Sequence, residues 1–499
     1  MKKIKVLFVI NKSKSLTKYE KFLEGYPTMG LASLASFLKK RGVEVRVFDA
    51  NIEREEDLFK FIEDFKPDLI GLSIVSYFYN LAYELIKKIK KNTKIPIVVG
   101  GPHISAIRKK VFEEIDIDFA IKGEGEFALY ELLKEMRKKN PEFSKIKGLM
   151  WKNGNNVIEN DDRELIKNLD ALPFPKYECF DLTKYAYFYE KKIPIITSRG
   201  CPYNCVYCSV RLTHGRSFRP KSPEKVVDEI EYWCKRDRKI FLINDDCFSF
   251  DIDRAMKICD LIIKRGLKIN FQLYSGLRVD RINKELLEKM KEAGCTFIAY
   301  GCESGNEQVL KNIKKGITLD QVRNAIKLTN EVGIANCVYF IIGHPGETYE
   351  SAMDSIKFAG SLPCGYINFN NLVPFPGSEL FEWIEANGKF LTPPESYLSD
   401  ISFRDEYPIF ETKEFPKEDR IKALKKAFDL SQKTIMQFRF GKFKGGIIYL
   451  ISRNEFMYKI GYRLIIETKI GSKIYDWFSK SSQKAAPVKH LYYKLKAKS

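Results

Sequence analysis

No stretch of this chain approaches the roughly 20 consecutive apolar residues that a membrane-crossing helix needs, although 44% of its 499 residues are hydrophobic. The apolar residues are spread among charges, as in globular domains, and the length suits two or three of them. The start, Met1-Lys-Lys-Ile-Lys-Val6, lacks the apolar core of a secretion signal and runs directly into a strand-like segment, which predicts a cytoplasmic protein. Eleven cysteines show no regular pairing. That argues against a secreted disulfide scaffold and predicts a reducing, low-oxygen compartment.

Acid is the second shortage, and it is local. From residue 421 to the end, 18 Lys plus Arg face only 4 Asp plus Glu, so +14 of the formal +20 charge sits in this tail. The segment Phe438-Arg-Phe-Gly-Lys-Phe-Lys-Gly-Gly-Ile-Ile-Tyr-Leu-Ile451, followed by Phe456, Tyr458, Tyr462 and Trp477, mixes bulky apolar groups with that charge. Such a mixture suits peripheral contact with the inner face of an anionic membrane; a lysine-rich solvated helical cap is the plainer alternative. Nucleic acid is not an expected partner.

The third omission is a fourth cysteine. Cys201, Cys205 and Cys208 stand in Ser198-Arg-Gly-Cys-Pro-Tyr-Asn-Cys-Val-Tyr-Cys-Ser209 with no second pair nearby and His214 the one close histidine. A structural zinc site needs four protein ligands, usually in paired units. Three thiolates can instead hold a [4Fe-4S] cluster with one iron left open. On this C-x3-C-x2-C triplet, directly after an apolar strand-like run, the chain resembles the radical S-adenosylmethionine superfamily. There the open iron is chelated by S-adenosylmethionine, which the reduced cluster cleaves to a 5′-deoxyadenosyl radical. The resemblance makes Cys201, Cys205 and Cys208 the catalytic and metal-ligating residues, places Tyr207 near the adenine, and implies an electron donor such as flavodoxin or ferredoxin.

Ahead of the triplet, residues 1–140 alternate strands and helices: Lys5 to Ile10, Glu44 to Phe48, Leu69 to Ser73, Ile97 to Gly100 and Phe119 to Lys122 are strand candidates. This predicts a doubly wound, Rossmann-like parallel sheet, which binds ligands outside the carboxyl ends of its strands. Gly100-Gly-Pro-His103 and Gly123-Glu-Gly-Glu126 fall at two such ends. With Tyr26-Pro-Thr-Met-Gly-Leu31 they resemble the cobalamin-binding domain of cobalamin-dependent radical S-adenosylmethionine enzymes. That resemblance implies cobalamin contacts for Gly100, Gly101, His103, Gly123, Glu124 and Gly125. The axial-histidine motif D-x-H-x-x-G of many cobalamin proteins is missing, its position reading Asn11-Lys-Ser-Lys-Ser-Leu-Thr17.

Residues 141–192 read as a connector, with a turn at Asn153-Gly-Asn-Asn156 and a helix-opposing Leu172-Pro-Phe-Pro-Lys176. Six strands then recur between helices over 193–389, a partial (β/α)6 TIM-type barrel whose chemistry belongs at the strand carboxyl ends. There lie Asp245-Asp246, Arg278, Tyr300-Gly-Cys-Glu-Ser-Gly305, Phe340-Ile-Ile-Gly-His-Pro-Gly-Glu347 and Pro374-Phe-Pro-Gly-Ser-Glu379. By resemblance, Arg278, Gly301, Glu303 and Gly343 bind S-adenosylmethionine, with Arg278 suited to its carboxylate. His344 is either a proton carrier or a shaper of the backbone. Residues 390–499 form a basic, mainly helical C-terminal region without an assignable motif.

The family so resembled implies three cofactors, a [4Fe-4S] cluster, S-adenosylmethionine and cobalamin. It implies a methyltransferase acting on an unactivated carbon of a small-molecule or lipid substrate. A cobalamin-assisted cyclisation or rearrangement without net methyl transfer is the alternative. A cobalamin-binding sensor is the third reading, against which an open iron argues.

Overall fold

The computed structural model describes residues 3–12, 27–185, 191–399 and 407–453. Tyr26, residues 13–17 of the position lacking the axial histidine, and Phe456, Tyr458, Tyr462 and Trp477 lie outside the described residues.

The strands β1 (Lys5–Ile10), β2 (Glu44–Asp49), β3 (Leu69–Ser73), β4 (Ile97–Gly100) and β5 (Phe119–Ile121) pair in parallel in the order β2-β1-β3-β4-β5. Their run of branched apolar residues is what burial on both faces demands. Helices Leu58–Phe65 and Tyr79–Asn92 share one core with them through Leu7, Val9, Ile70, Leu72 and Val99. The strand order reverses between β1 and β3, the topological switch point at which open sheets of this kind take their ligands.

One element of the connector behaves otherwise than expected. β6 (Leu149–Asn153) and β7 (Asn156–Glu159) form a hairpin that adds antiparallel to β5, so the sheet has seven described strands rather than five. An Asn-Gly turn between apolar segments favours such a hairpin.

The barrel region supplies β8 (Lys192–Ile195), β11 (Ile240–Ile243), β12 (Asn270–Leu277), β13 (Cys295–Glu303), β14 (Ala335–Ile342) and β15 (Tyr366–Asn371), a six-stranded sheet in sequential order. Two short strands, β9 (Ser198–Arg199) and β10 (Arg219–Pro220), pair antiparallel on either side of the cysteine segment.

The chain divides into two compact units, Met1–Ser275 with Glu292–Gly294 and Pro374–Ile401, and Gly276–Lys291 with Cys295–Val373 and Ser402–Ser499. In the second, helix Lys417–Phe440 lies along the edge strand β15. There Ser431 Oγ accepts the Phe369 N–H at 2.9 Å and Thr434 Oγ1 the Ile367 N–H at 3.1 Å. Side-chain hydroxyls thus satisfy donors that an open edge would leave unpaired. Helix Lys442–Arg453 follows. Among the described residues, no helix is long and apolar enough to cross a membrane.

Candidate active site

In the first unit, β9 and β10 bracket the segment that carries Cys201, Cys205 and Cys208. All three are half-buried and none is in a disulfide. Burial pushes the Cys208 thiol up to about 11, so its thiolate needs a neighbouring cation such as iron. Among the described residues, no three His, Cys, Asp or Glu side chains are placed to share one metal ion. A cluster asks for something else, because each cysteine takes its own iron.

Asp245 and Asp246, expected at the barrel mouth, brace this segment. Asp245 accepts the Thr197 N–H at 2.5 Å and the Ser198 hydroxyl at 2.7 Å, and burial raises its carboxyl despite Arg254 and those donors. Asp246 accepts the Gly200 N–H at 2.8 Å and lies 2.8 Å from His214 Nδ1. The Pro374–Glu379 stretch returns to the same place: Leu380 N donates to Val206 O at 3.0 Å and Arg211 Nη2 to Gly377 O at 3.1 Å.

A cavity of about 340 Å³ opens at the carboxyl ends of β3, β4 and β5. Gly100, Gly101, Gly123, Glu124 and Gly125 line it, and so do Arg199 and His214 on either side of the cysteines. Gly101 has to be glycine: at φ +99° a Cβ would stand 2.7 Å from Ile74 O. A wall of glycine backbone and apolar side chains suits a flat corrin carrying amide groups. His103 does not belong to it. Its ring is buried, stacks on Tyr79 at 4.5 Å, and lies 3.2 Å from the Tyr83 hydroxyl and 3.3 Å from that of Ser76. Burial holds it neutral, its pKa near 4.

Glu124 has partners the sequence did not reveal. The register pairs Arg199 directly with Arg219 across β9 and β10, a like-charge pair that would be unfavourable by itself. Glu124 accepts from both, at 2.7 Å from Arg199 Nη1 and 2.8 Å from Arg219 Nη1. Arg199 Nη2 reaches Glu126 at 2.7 Å. All four side chains are largely buried. Burial would raise the Glu126 carboxyl, but Arg199 outweighs it and the net shift is downward.

In the second unit, Glu303 ends β13 at a bulge with φ +75°, unusual for a residue with a side chain. Its carboxylate, which the resemblance assigns to S-adenosylmethionine, has Lys315 Nζ at 2.9 Å. Gly301 makes room for that pair: a Cβ there would lie 2.6 Å from Glu303 Oε1. Arg278 is committed elsewhere. It grips Asp280 at 2.9 and 3.2 Å and the carbonyls of Lys315 and Gly316 at 2.8 and 3.2 Å, which makes it a clamp on the loop after Glu303.

After β14, Glu347 accepts the N–H groups of Gly343 and His344 at 2.5 and 3.0 Å, and burial raises its pKa to about 7. His344 is fully buried, with its pKa pushed down to about 3 by that burial. Arg420 donates to Gly343 O at 3.4 Å and Phe415 O at 2.9 Å. It comes from the region in which the sequence offered no motif.

A Radical SAM superfamily model matches residues 195–359 and a B12 binding domain model residues 20–133. The uncharacterized methyltransferase PH0819 of Pyrococcus horikoshii is 34% identical over 440 residues, 86% of this chain and 92% of that protein. Among solved structures, the radical S-adenosylmethionine methyltransferase TsrM of Kitasatospora setae, with cobalamin and a [4Fe-4S] cluster bound, matches with a TM-score of 0.65 at 20% identity. That match covers 77% of this chain and 75% of that one. The cobalamin-dependent S-adenosylmethionine radical enzyme OxsB matches with a TM-score of 0.62 at 25% identity, over 71% of this chain and 52% of its own. A cobalamin-binding sheet ahead of a radical S-adenosylmethionine barrel defines a two-domain class of enzyme. Within it, the chain belongs to the cobalamin-dependent radical S-adenosylmethionine methyltransferase family, and membership brings the cluster, S-adenosylmethionine and cobalamin as cofactors.

Proposed function

We propose that the chain is a C-methyltransferase that places a methyl group on an unactivated carbon of a small-molecule or lipid substrate. The observation that supports this best is the single cavity shared by the glycine-rich strand ends and by Arg199 and His214, which flank the cysteines. Two cofactors that serve one substrate have to meet in such a space. In this reading Cys201, Cys205 and Cys208 ligate iron, and Gly100, Gly101, Gly123 and Gly125 let the backbone approach the corrin. Tyr207, Gly301, Glu303 and Gly343 are S-adenosylmethionine contacts. Glu124 serves cobalamin through the loop it anchors, and Arg278 and His103, otherwise engaged, drop out as direct contacts. When bound, the cluster with S-adenosylmethionine supplies a hydrogen-abstracting radical and methylcobalamin supplies the methyl group. The protein's own part is to brace the cysteine segment and hold the cavity wall in place. A cytoplasmic flavodoxin or ferredoxin is the electron donor in this scheme.

Reduced, reconstituted protein incubated with S-adenosylmethionine tests the reading. 5′-Deoxyadenosine together with S-adenosylhomocysteine is expected; 5′-deoxyadenosine alone would transfer the assignment to a cyclase or rearrangement, and neither product would favour a sensor.

Peripheral membrane contact gains support from helix Lys442–Arg453, on which Phe443, Ile447 and Leu450 form one exposed stripe beside Lys442, Lys444 and Arg453. Full-length protein should sediment with acidic lipid vesicles at low salt and release as salt screens the charge. Protein that stays in the supernatant at low ionic strength contradicts the contact.

A further inference from the structure

From the buried charge network we infer that Arg199 is a positioning residue that links the two cofactor loops, so that cobalamin binding and cluster assembly favour one another. The inference rests on the cofactor reading above and adds a coupling that the reading does not require. Arg199 stands two residues before Cys201. Its two terminal nitrogens bridge Glu124 and Glu126, each at 2.7 Å, and these flank Gly125 of the cavity wall. One planar guanidinium thus holds the entrance of the cysteine segment against the loop that closes the cobalamin cavity.

Arg219 completes the arrangement by tying Glu124 Oε2, at 2.8 Å, to the carbonyls of Ile166 and His214 at 2.8 and 2.9 Å. The segment from Arg199 to Arg219, cysteines included, is therefore pinned at both ends to the same carboxylate. Two arginines and two glutamates cancel in charge, so the network asks for no counter-ion. What it fixes is geometry. Whichever cofactor orders its loop first also orders this network, and the second then meets a loop whose conformational entropy has already been lost. Linkage makes the effect reciprocal. A lysine could keep the charge but could not span both carboxylates with a rigid fork.

The test titrates hydroxocobalamin, followed by its absorbance, into full-length protein before and after cluster reconstitution, for wild type and Arg199→Lys. Iron and sulfide content and circular dichroism monitor the cluster and the fold. Wild type should bind cobalamin at least about fivefold more tightly once the cluster is in place. Arg199→Lys should keep its cluster and bind cobalamin, with that gain reduced to less than about twofold. A lysine variant with the full gain, or a wild type that binds cobalamin equally in both states, overturns the linkage and leaves the cofactor reading standing. A wild type that binds no cobalamin in either state overturns both. Should Arg199→Lys fail to fold, Glu126→Gln removes one arm of the bridge and is judged by the same ratio.

Discussion

Each of the two units buries acid against base, and they do so differently. In the first, two arginines opposed across a strand pair are reconciled by Glu124, with Glu126 on the flank. In the second, Glu303 meets one lysine, Lys315, twelve positions along the chain. An arginine stays charged under all conditions in a protein, whereas a buried lysine can shed its proton. The first arrangement therefore fails abruptly when a carboxylate is lost, and the second has a way to relax. The first also spans distant segments, so it welds loops together, while the second shapes a single strand end.

The sharpest test removes one carboxylate from each. Glu124→Gln leaves two buried guanidinium groups with Glu126 as the one carboxylate of the network and should cost about 3–5 kcal/mol of stability. Glu303→Gln takes the carboxylate charge from one ammonium that can neutralise, and should cost about 1–3 kcal/mol. Urea denaturation of the two variants under one buffer measures both. Equal costs would break the comparison, because they would show that the lysine does not relax.

A smaller effect sharpens the account of the second unit. Glu347 is raised from 4.5 to about 7 by burial, against the pull of the Gly343 N–H and Arg420. Between those values the folded chain keeps a proton that the unfolded chain has released. The group's contribution is thus full below about pH 4.5 and fades as pH rises towards 7, by up to about 1.4 kcal/mol per pH unit. His344, pushed down to about 3, acts in the opposite sense below its ordinary value, since only the unfolded chain accepts its proton. The difference between wild type and Glu347→Gln therefore isolates the carboxyl, and the wild-type advantage should shrink from about pH 5 to about pH 7. A difference that does not change with pH would mean that Glu347 is ionised throughout.

The same contrast explains what could be read beforehand. Strand alternation is written locally: β1 to β5 appear where periodicity places them, and the expected six strands follow in the barrel region. The cysteine spacing is local too. The β6–β7 hairpin was half legible: its turn was identified, but the sequence did not say that β5 had an edge to receive it. Glu303 was recognised by its motif while its partner Lys315 was not, because the bulge that turns the carboxylate depends on the register with β14. Arg199 and Glu124 stand 75 positions apart, and only the folded chain pairs them. His103 is a related case. A histidine beside glycines at a strand end suggests a ligand contact, and the sequence does not announce that Tyr79, Tyr83 and Ser76 enclose its ring.

The hydroxyls of Ser431 and Thr434 on the Phe369 and Ile367 amides bear on how the basic tail can be studied. Cutting the chain near residue 420 to remove the charge would also remove helix Lys417–Phe440, leaving β15 as a bare template to which another copy could add a strand. Such a fragment would precipitate or self-associate for reasons unrelated to lipid, and its failure to bind vesicles would be misread. A stop after Arg453 keeps the sheet edge sheathed while discarding half of the tail's net charge of +14.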